Sequence, residues 1–135
     1  YKLTAIREMG QDWHYKVKLS EQVLKVSNPG RLQIRRLKNA HGHFVGDVIY
    51  NEWQGFQDFP FSNTYEELLI PVMKQGQRIY HSPPLTEIQA RVKQQLRYCP
   101  PALLNLYYPQ NYPVTLEKQL LATKEALVRQ VKVTN

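Results

Sequence analysis

Polar and apolar residues trade places along this chain with two different periods, and the change comes near residue 81. Up to that point the period is two. Residues 15–19 (YKVKL) set Tyr15, Val17 and Leu19 on one face and Lys16 and Lys18 on the other, the mark of a half-buried strand. Residues 2–7 (KLTAIR) divide in the same way, and Gly10-Gln11-Asp12 between the two runs predicts a hairpin. Residues 31–37 alternate again, Asn39-Ala40-His41-Gly42 is a turn cluster, and residues 44–50 predict a further strand. The stretch 51–64 (NEWQGFQDFPFSNT) predicts an irregular loop whose Trp53, Phe56, Phe59 and Phe61 pack on something. The apolar run 67–73 predicts a strand, turned by Lys74-Gln75-Gly76-Gln77 toward residues 78–80. Pro71 confines that run to an edge or a bulge, because proline has no N–H to give the ladder.

Beyond Ser82-Pro83-Pro84 the period becomes helical. Ser82 is the expected N-cap and Pro83 the expected first helical residue. Leu85, Ile88, Val92, Leu96 and Cys99 then recur on one face, and Pro100-Pro101 ends the helix. Residues 103–107 are expected to make one more turn and residues 107–113 to run extended. A last helix is expected from Thr115, with Leu116, Leu120, Leu127 and Val131 on one stripe. The predicted fold is α+β: an antiparallel β-sheet followed by two or three C-terminal helices. It is expected to form a single unit over residues 1–135, β-rich at 1–80 and helical at 81–135.

Charge changes this picture only in where it falls. The net charge is +7 in 135 residues. Residues 1–43 hold nine Lys and Arg against three acids, residues 44–73 hold five acids and no base, and residues 74–135 hold nine bases against three acids. A nucleic-acid module concentrates its bases on one surface, whereas an acidic middle repels phosphate, so docking of complementary patches suits this distribution better. Two rival classes stand beside that reading: a basic module binding RNA or single-stranded DNA through its strands, and a free-standing structural or oligomerisation domain. No apolar run approaches the roughly 20 residues that span a bilayer, so no membrane partner is expected. The chain opens Tyr1-Lys2-Leu3, which reads as a fragment or a processed chain. Cys99 is the one cysteine, so no internal disulfide is expected, and it reads as a small apolar group on a helix face.

Candidate chemistry is sparse. His14, His41, His43 and His81 lack the converging ligands a metal needs, so no metal site is expected. In Asn28-Pro29-Gly30-Arg31, Pro29 and Gly30 suit the central positions of a type II turn, where glycine accepts the positive φ. The same turn is the candidate anion contact, through the N–H groups near Gly30 and the side chain of Arg31. Arg35 and Arg36 are consecutive in a strand and face opposite sides. Asp47 falls two residues from Val45 and Ile49, so it needs a cation, and an arginine of the neighbouring strand is the expected one. No nucleophile–base arrangement is legible, and no residue is assigned a catalytic role.

Residues 16–50, with Lys18-Leu19-Ser20-Glu21, Asn28-Pro29-Gly30 and Gly46-Asp47, resemble the segment that follows the barrel in nicotinate phosphoribosyltransferases. The likeness resumes at 65–80 (YEELLIPVMKQGQRIY) and at 85–114, which ends in a YPQNYPV tail containing Tyr112-Pro113-Val114. After the turn this chain has Arg31-Leu32 where many members have two basic residues. The resemblance implies the C-terminal region of an enzyme that transfers ribosyl-5-phosphate from phosphoribosyl pyrophosphate to nicotinate, with Mg²⁺ and coupled ATP hydrolysis. It implies a cytoplasmic protein in NAD synthesis, a homodimer, and a partner in the barrel of the same parent chain. The family's phosphoribosyl site and phosphorylated histidine lie on that barrel, which takes roughly 200–250 residues. No catalytic position therefore carries onto this chain, and alone it is expected to be inactive, without a cofactor of its own and without specific nucleic-acid binding.

Overall fold

A computed structural model describes residues 2–22, 25–57 and 64–134. Two short strands, β1 (Ala5–Ile6) and β2 (His14–Tyr15), pair antiparallel with Ala5 opposite Tyr15 and Ile6 opposite His14. The predicted hairpin is there, but its ladder is shorter than the alternation of residues 2–7 and 15–19. Lys16 N–H still donates to Thr4 O at 2.9 Å. Lys18 then turns to another partner: its N–H donates to Ser27 Oγ at 2.7 Å, and its carbonyl accepts from Ser27 N–H at 3.1 Å.

β3 (Leu32–Lys38) and β4 (Phe44–Asn51) are joined by the predicted turn. Asn39 organises it, its Oδ1 accepting from His41 N–H and His43 N–H at 3.0 Å each. A connection this short forces the two strands antiparallel. β5 (Thr64–Glu67) lies on the other side of β3, antiparallel, with Arg35 opposite Glu67 and Lys38 opposite Thr64. The strand expected at 67–73 thus ends where that run begins. Charge chose the register, because the acids of β5 face the bases of β3: Arg35 pairs with Glu67 at 2.6 Å and Lys38 with Glu66 at 2.8 Å. The apolar residues that follow are left out, and Ile70, Val72 and Met73 are 52–62% exposed. β6 (Met73–Lys74) and β7 (Gln77–Arg78) form the expected hairpin as a separate two-stranded ribbon.

Helix α1 (Leu85–Tyr98) begins later than the sequence suggests. Its N-cap is Pro84, without a side-chain cap, while Ser82 Oγ accepts from Arg78 Nη2 at 2.6 Å. A 3-10 turn follows at Pro101–Leu103, ahead of the expected 103–107. Asn105 Oδ1 then accepts from Tyr107 N–H and Tyr108 N–H, at 3.0 and 3.1 Å. Residues expected to open the last helix form instead β8 (Val114–Leu116), and α2 (Lys118–Thr134) starts behind it. The main sheet has the order β5-β3-β4-β8. Asp47 N–H donates to Pro113 O and Glu117 N–H to Ile49 O, so β8 runs in the same direction as β4 and the sheet is mixed. The whole is α+β, as predicted.

The chain divides into two compact units, each discontinuous in sequence. One comprises Tyr1–Ile34, Val48–Asp58 and Thr115–Asn135, the other Arg35–Asp47 and Phe59–Val114. Among the described residues, Pro29, Val48, Tyr50 and Leu120 are buried apolar side chains in the first unit, and Leu37 and Phe44 in the second. Two rings of the aromatic loop find partners in the first unit. Trp53 stacks on Trp13 with ring centres 4.3 Å apart, and Phe56 meets Tyr50 edge-on at 5.1 Å. Phe59 and Phe61 lie outside the described residues. Among those described, no helix is long and apolar enough to cross a membrane.

Candidate functional site

The turn at Asn28-Pro29-Gly30-Arg31 forms as its sequence requires, with Gly30 at φ +87°. A second constraint was not visible in the sequence. Gly30 lies flat against the side chain of Asn51, and a Cβ added to it would sit 2.4 Å from Asn51 Nδ2. Asn51, 1% exposed, is the hub of this corner. Its Oδ1 accepts from Arg31 N–H and Trp53 N–H at 3.2 Å each, and its Nδ2 donates to Gln54 Oε1 at 3.2 Å. Gln54 Nε2 donates onward to Thr123 Oγ1 at 2.9 Å, which ties the turn to α2.

The candidate anion contact sits within this network. Gly30 N–H donates to Thr4 O at 3.0 Å, and the Arg31 guanidinium pairs with Glu52 at 2.5 Å with its side chain 66% exposed. The backbone donors of the turn are thus engaged by the chain itself, and the Arg31 side chain is the group that faces solvent.

The second unit holds a more compact polar cluster. Arg36 forks onto Asp47, Nε to Oδ1 at 3.0 Å and Nη2 to Oδ2 at 2.9 Å. This is the cross-strand pair that the sequence predicts for Asp47, and Arg35 on the opposite side serves Glu67 instead. Asp47 is 8% exposed, so one arginine leaves acceptor capacity over. Tyr112 takes it, its hydroxyl donating to Asp47 Oδ1 at 2.8 Å. The hydrogen bond to Asp47 holds the Arg36 guanidinium even more firmly protonated than usual. Burial, and then the bond to Asp47, push the Tyr112 phenol well above its ordinary value. Sequence reading gave Tyr112 no role beyond its place in the YPQNYPV tail. The legible signal was its position just before Pro113, which stiffens a segment that must carry a donor to a buried carboxylate.

Arg36 lies over the ring of Phe44 at 4.6 Å and 6.0 Å from that of Tyr112. Between this cluster and α1 opens a cavity of about 450 Å³, walled by Phe44, Val92, Leu96 and Leu103, with Arg36 and Tyr112 at its polar side. Cys99, half-buried at the end of α1, also reaches it. Among the described residues no group of three or more His, Cys, Asp or Glu side chains is placed to hold a metal. The Arg36–Asp47–Tyr112 cluster is neutral and hydrogen-bonded within itself, which suits a structural clamp.

The nicotinate phosphoribosyltransferase C-terminal domain family matches residues 49–124, more than half of the chain. A nicotinate phosphoribosyltransferase of Bacillus subtilis (strain 168) is 26% identical over 149 aligned residues, covering 98% of this chain and 30% of the relative. A crystal structure of human nicotinic acid phosphoribosyltransferase superposes with a TM-score of 0.66 at 22% identity, over 76% of this chain and 24% of that one. The likeness to the human protein is one of fold over that part of the chain. The chain belongs to the nicotinate phosphoribosyltransferase C-terminal domain family, and it spans about a third of the length of the curated relative it matches.

Proposed function

We propose that this chain works as the C-terminal domain of an enzyme that joins nicotinate to the ribosyl-5-phosphate of phosphoribosyl pyrophosphate, releasing pyrophosphate with ATP and Mg²⁺. The observation that carries this reading is the family match across residues 49–124. Catalysis belongs, in this reading, to a barrel elsewhere in the parent protein, which is cytoplasmic and homodimeric. The domain's part is to complete that protein, with the barrel as its partner. An anion contact at Gly30 and Arg31 fits this role if the Arg31 guanidinium exchanges Glu52 for a phosphate oxygen. The alternative of a free-standing basic module gains nothing from the comparisons.

The test is formation of nicotinate mononucleotide, followed by chromatography, with nicotinate, phosphoribosyl pyrophosphate, ATP and Mg²⁺. The 135-residue chain alone is expected to form none, and a longer protein carrying it with a barrel is expected to form product from nicotinate in preference to nicotinamide. Turnover by the chain alone, abolished by a substitution within it, would overturn the domain reading. A longer protein that ignores nicotinate would overturn the substrate.

A further inference from the structure

Helix α1 carries charge that the described residues do not answer. Lys93 and Arg97 stand four residues apart on one flank and Arg91 on the other, all three exposed. The ion pairs among the described residues use Arg31, Arg35, Arg36 and Lys38, and none reaches α1. Glu87 is the helix's one acid. Between the basic flanks runs an apolar stripe of Leu85, Val92 and Leu96, exposed by 67%, 50% and 50%. A rise of about 1.5 Å per residue makes this stripe about 16 Å long. The apolar surface continues past the helix. Leu103 borders the same cavity as Val92 and Leu96, and after it Leu106, Tyr107 and Tyr108 are 82–85% exposed. That segment is fixed in place: Asn105 Oδ1 accepts from the N–H groups of Tyr107 and Tyr108, and Gln110 N–H donates to Ala102 O at 3.0 Å. Rings already held in position lose little freedom on docking, and tyrosines are common anchors of protein interfaces.

We propose that this face of the second unit, the α1 stripe with the segment after it, docks on the barrel, and that the barrel presents there an apolar ridge edged with carboxylates. The occupant rests on the reading of the chain as a domain of a barrel enzyme; the face and its chemistry go beyond that reading. Charge selects the partner's surface. The bases of α1 call for acids, and Asp47, Glu66 and Glu67 on the sheet of the same unit already hold Arg36, Lys38 and Arg35. A second copy meeting this face across a two-fold axis would set the same three bases against each other. Anionic lipid would answer the bases, but the stripe borders a recess, which takes protruding side chains better than a flat bilayer surface. Size fits as well. Only 30% of the Bacillus subtilis relative lies in the match, so most of an enzyme of that length is free to cover the face. Burial of the apolar stripe would supply the affinity, and the basic flanks would set the register.

The test is made on the longer protein that carries this domain with a barrel. A carbodiimide joins a lysine amine directly to a carboxylate in contact with it, and peptide mass spectrometry should find Lys93 joined to an Asp or Glu of the barrel. An amine-reactive ester should acylate Lys93 at least about tenfold more slowly there than in the 135-residue chain alone, the loss expected when a contact of a kcal/mol or two covers the amine. Leu96→Glu, a charge placed at a half-exposed position of the stripe, should abolish the cross-link and restore the rate of the chain alone. Equal acylation of Lys93 in the two wild-type proteins would overturn the proposal. So would a cross-link that runs to a second copy of the domain, or sedimentation of the chain alone with phosphatidylserine vesicles but not with phosphatidylcholine ones. The wild-type rates decide the matter even if Leu96→Glu does not fold. Neither readout involves turnover: a longer protein that ignores nicotinate can still show the contact, and one that forms product with Lys93 open overturns this inference alone.

Discussion

Helix α2 sinks Leu120 to 0% exposure, whereas α1 buries none of its 14 residues. Both show apolar residues at helical spacing, so the difference lies in what meets them. Before α2, Glu117 is 4% exposed and acts as a cap, its Oε2 accepting from Gln119 N–H at 2.9 Å and Leu120 N–H at 3.1 Å. Lys124 Nζ donates to Asn28 Oδ1 at 2.8 Å, and Thr123 receives Gln54. α1 starts at a proline with no side-chain cap, and its clearest aromatic contact is Tyr98 against Phe44 at 6.2 Å. A 14-residue helix is marginal by itself in water. Periodicity announces a helix; caps, polar ties and a filled core decide how firmly it is held.

The largest expected effect tests that contrast directly. Leu120→Ala should cost about 3 kcal/mol, the lost transfer energy plus the cavity left behind. Leu96→Ala, at a half-exposed position, should cost less than about 1 kcal/mol. Denaturant unfolding of the two variants measures both, and equal costs would break the comparison. Native-state hydrogen exchange sharpens it, since α1 amides should open at a lower free energy than those of α2. Gly30→Ala should come next, at about 2 kcal/mol or more, because it adds left-handed strain to a clash with Asn51. If it is neutral, the turn is not wedged against Asn51 and the first unit is looser than its hydrogen bonds imply.

Some of this was legible in the residues. The Asn28-Pro29-Gly30 turn, the β3–β4 hairpin, the Asp47–arginine pair and the opposite facing of Arg35 and Arg36 each follow from local rules, and each is present. β5 was displaced because its apolar neighbours at 68–73 looked more strand-like than its own Tyr65-Glu66-Glu67. Cross-strand ion pairs, and Arg35 stacked 3.8 Å over the Tyr65 ring, set that register from a distance that local patterning does not sample. β8 was taken for helix because three residues give too little alternation to detect, although Val114 and Thr115 are both β-branched. Asn51 and Tyr112 were missed for one reason. Each acts on residues far away in sequence, Asn51 on Arg31 and Tyr112 on Asp47, and the tail motif that contains Tyr112 does not name its partner.

Glu117→Ala should cost about 1 kcal/mol, as loss of an N-cap does, and exchange at Gln119 and Leu120 should speed up while α1 is unaffected. A uniform change across both helices would mean that Glu117 does not act as the cap of α2.

The smallest effect concerns Tyr112. Its phenol is held protonated in the fold beyond the ordinary value near 10.0. A group whose folded pKa is raised contributes fully below its unfolded pKa and loses that contribution as pH rises through the folded one. Stability should therefore be steady with respect to this group below about pH 10 and decline above it. Tyr112→Phe removes the hydroxyl that donates to Asp47, so the variant should be weaker by about 1 kcal/mol at neutral pH. Above pH 10 the gap should narrow, because only the wild type has this proton to lose. Denaturation midpoints of both proteins between pH 8 and about 11.5 read the difference, with the other tyrosines common to both curves. Parallel curves would show that the Tyr112–Asp47 bond adds nothing to the Arg36 fork, and the second unit would then depend on Arg36 and Asp47 alone.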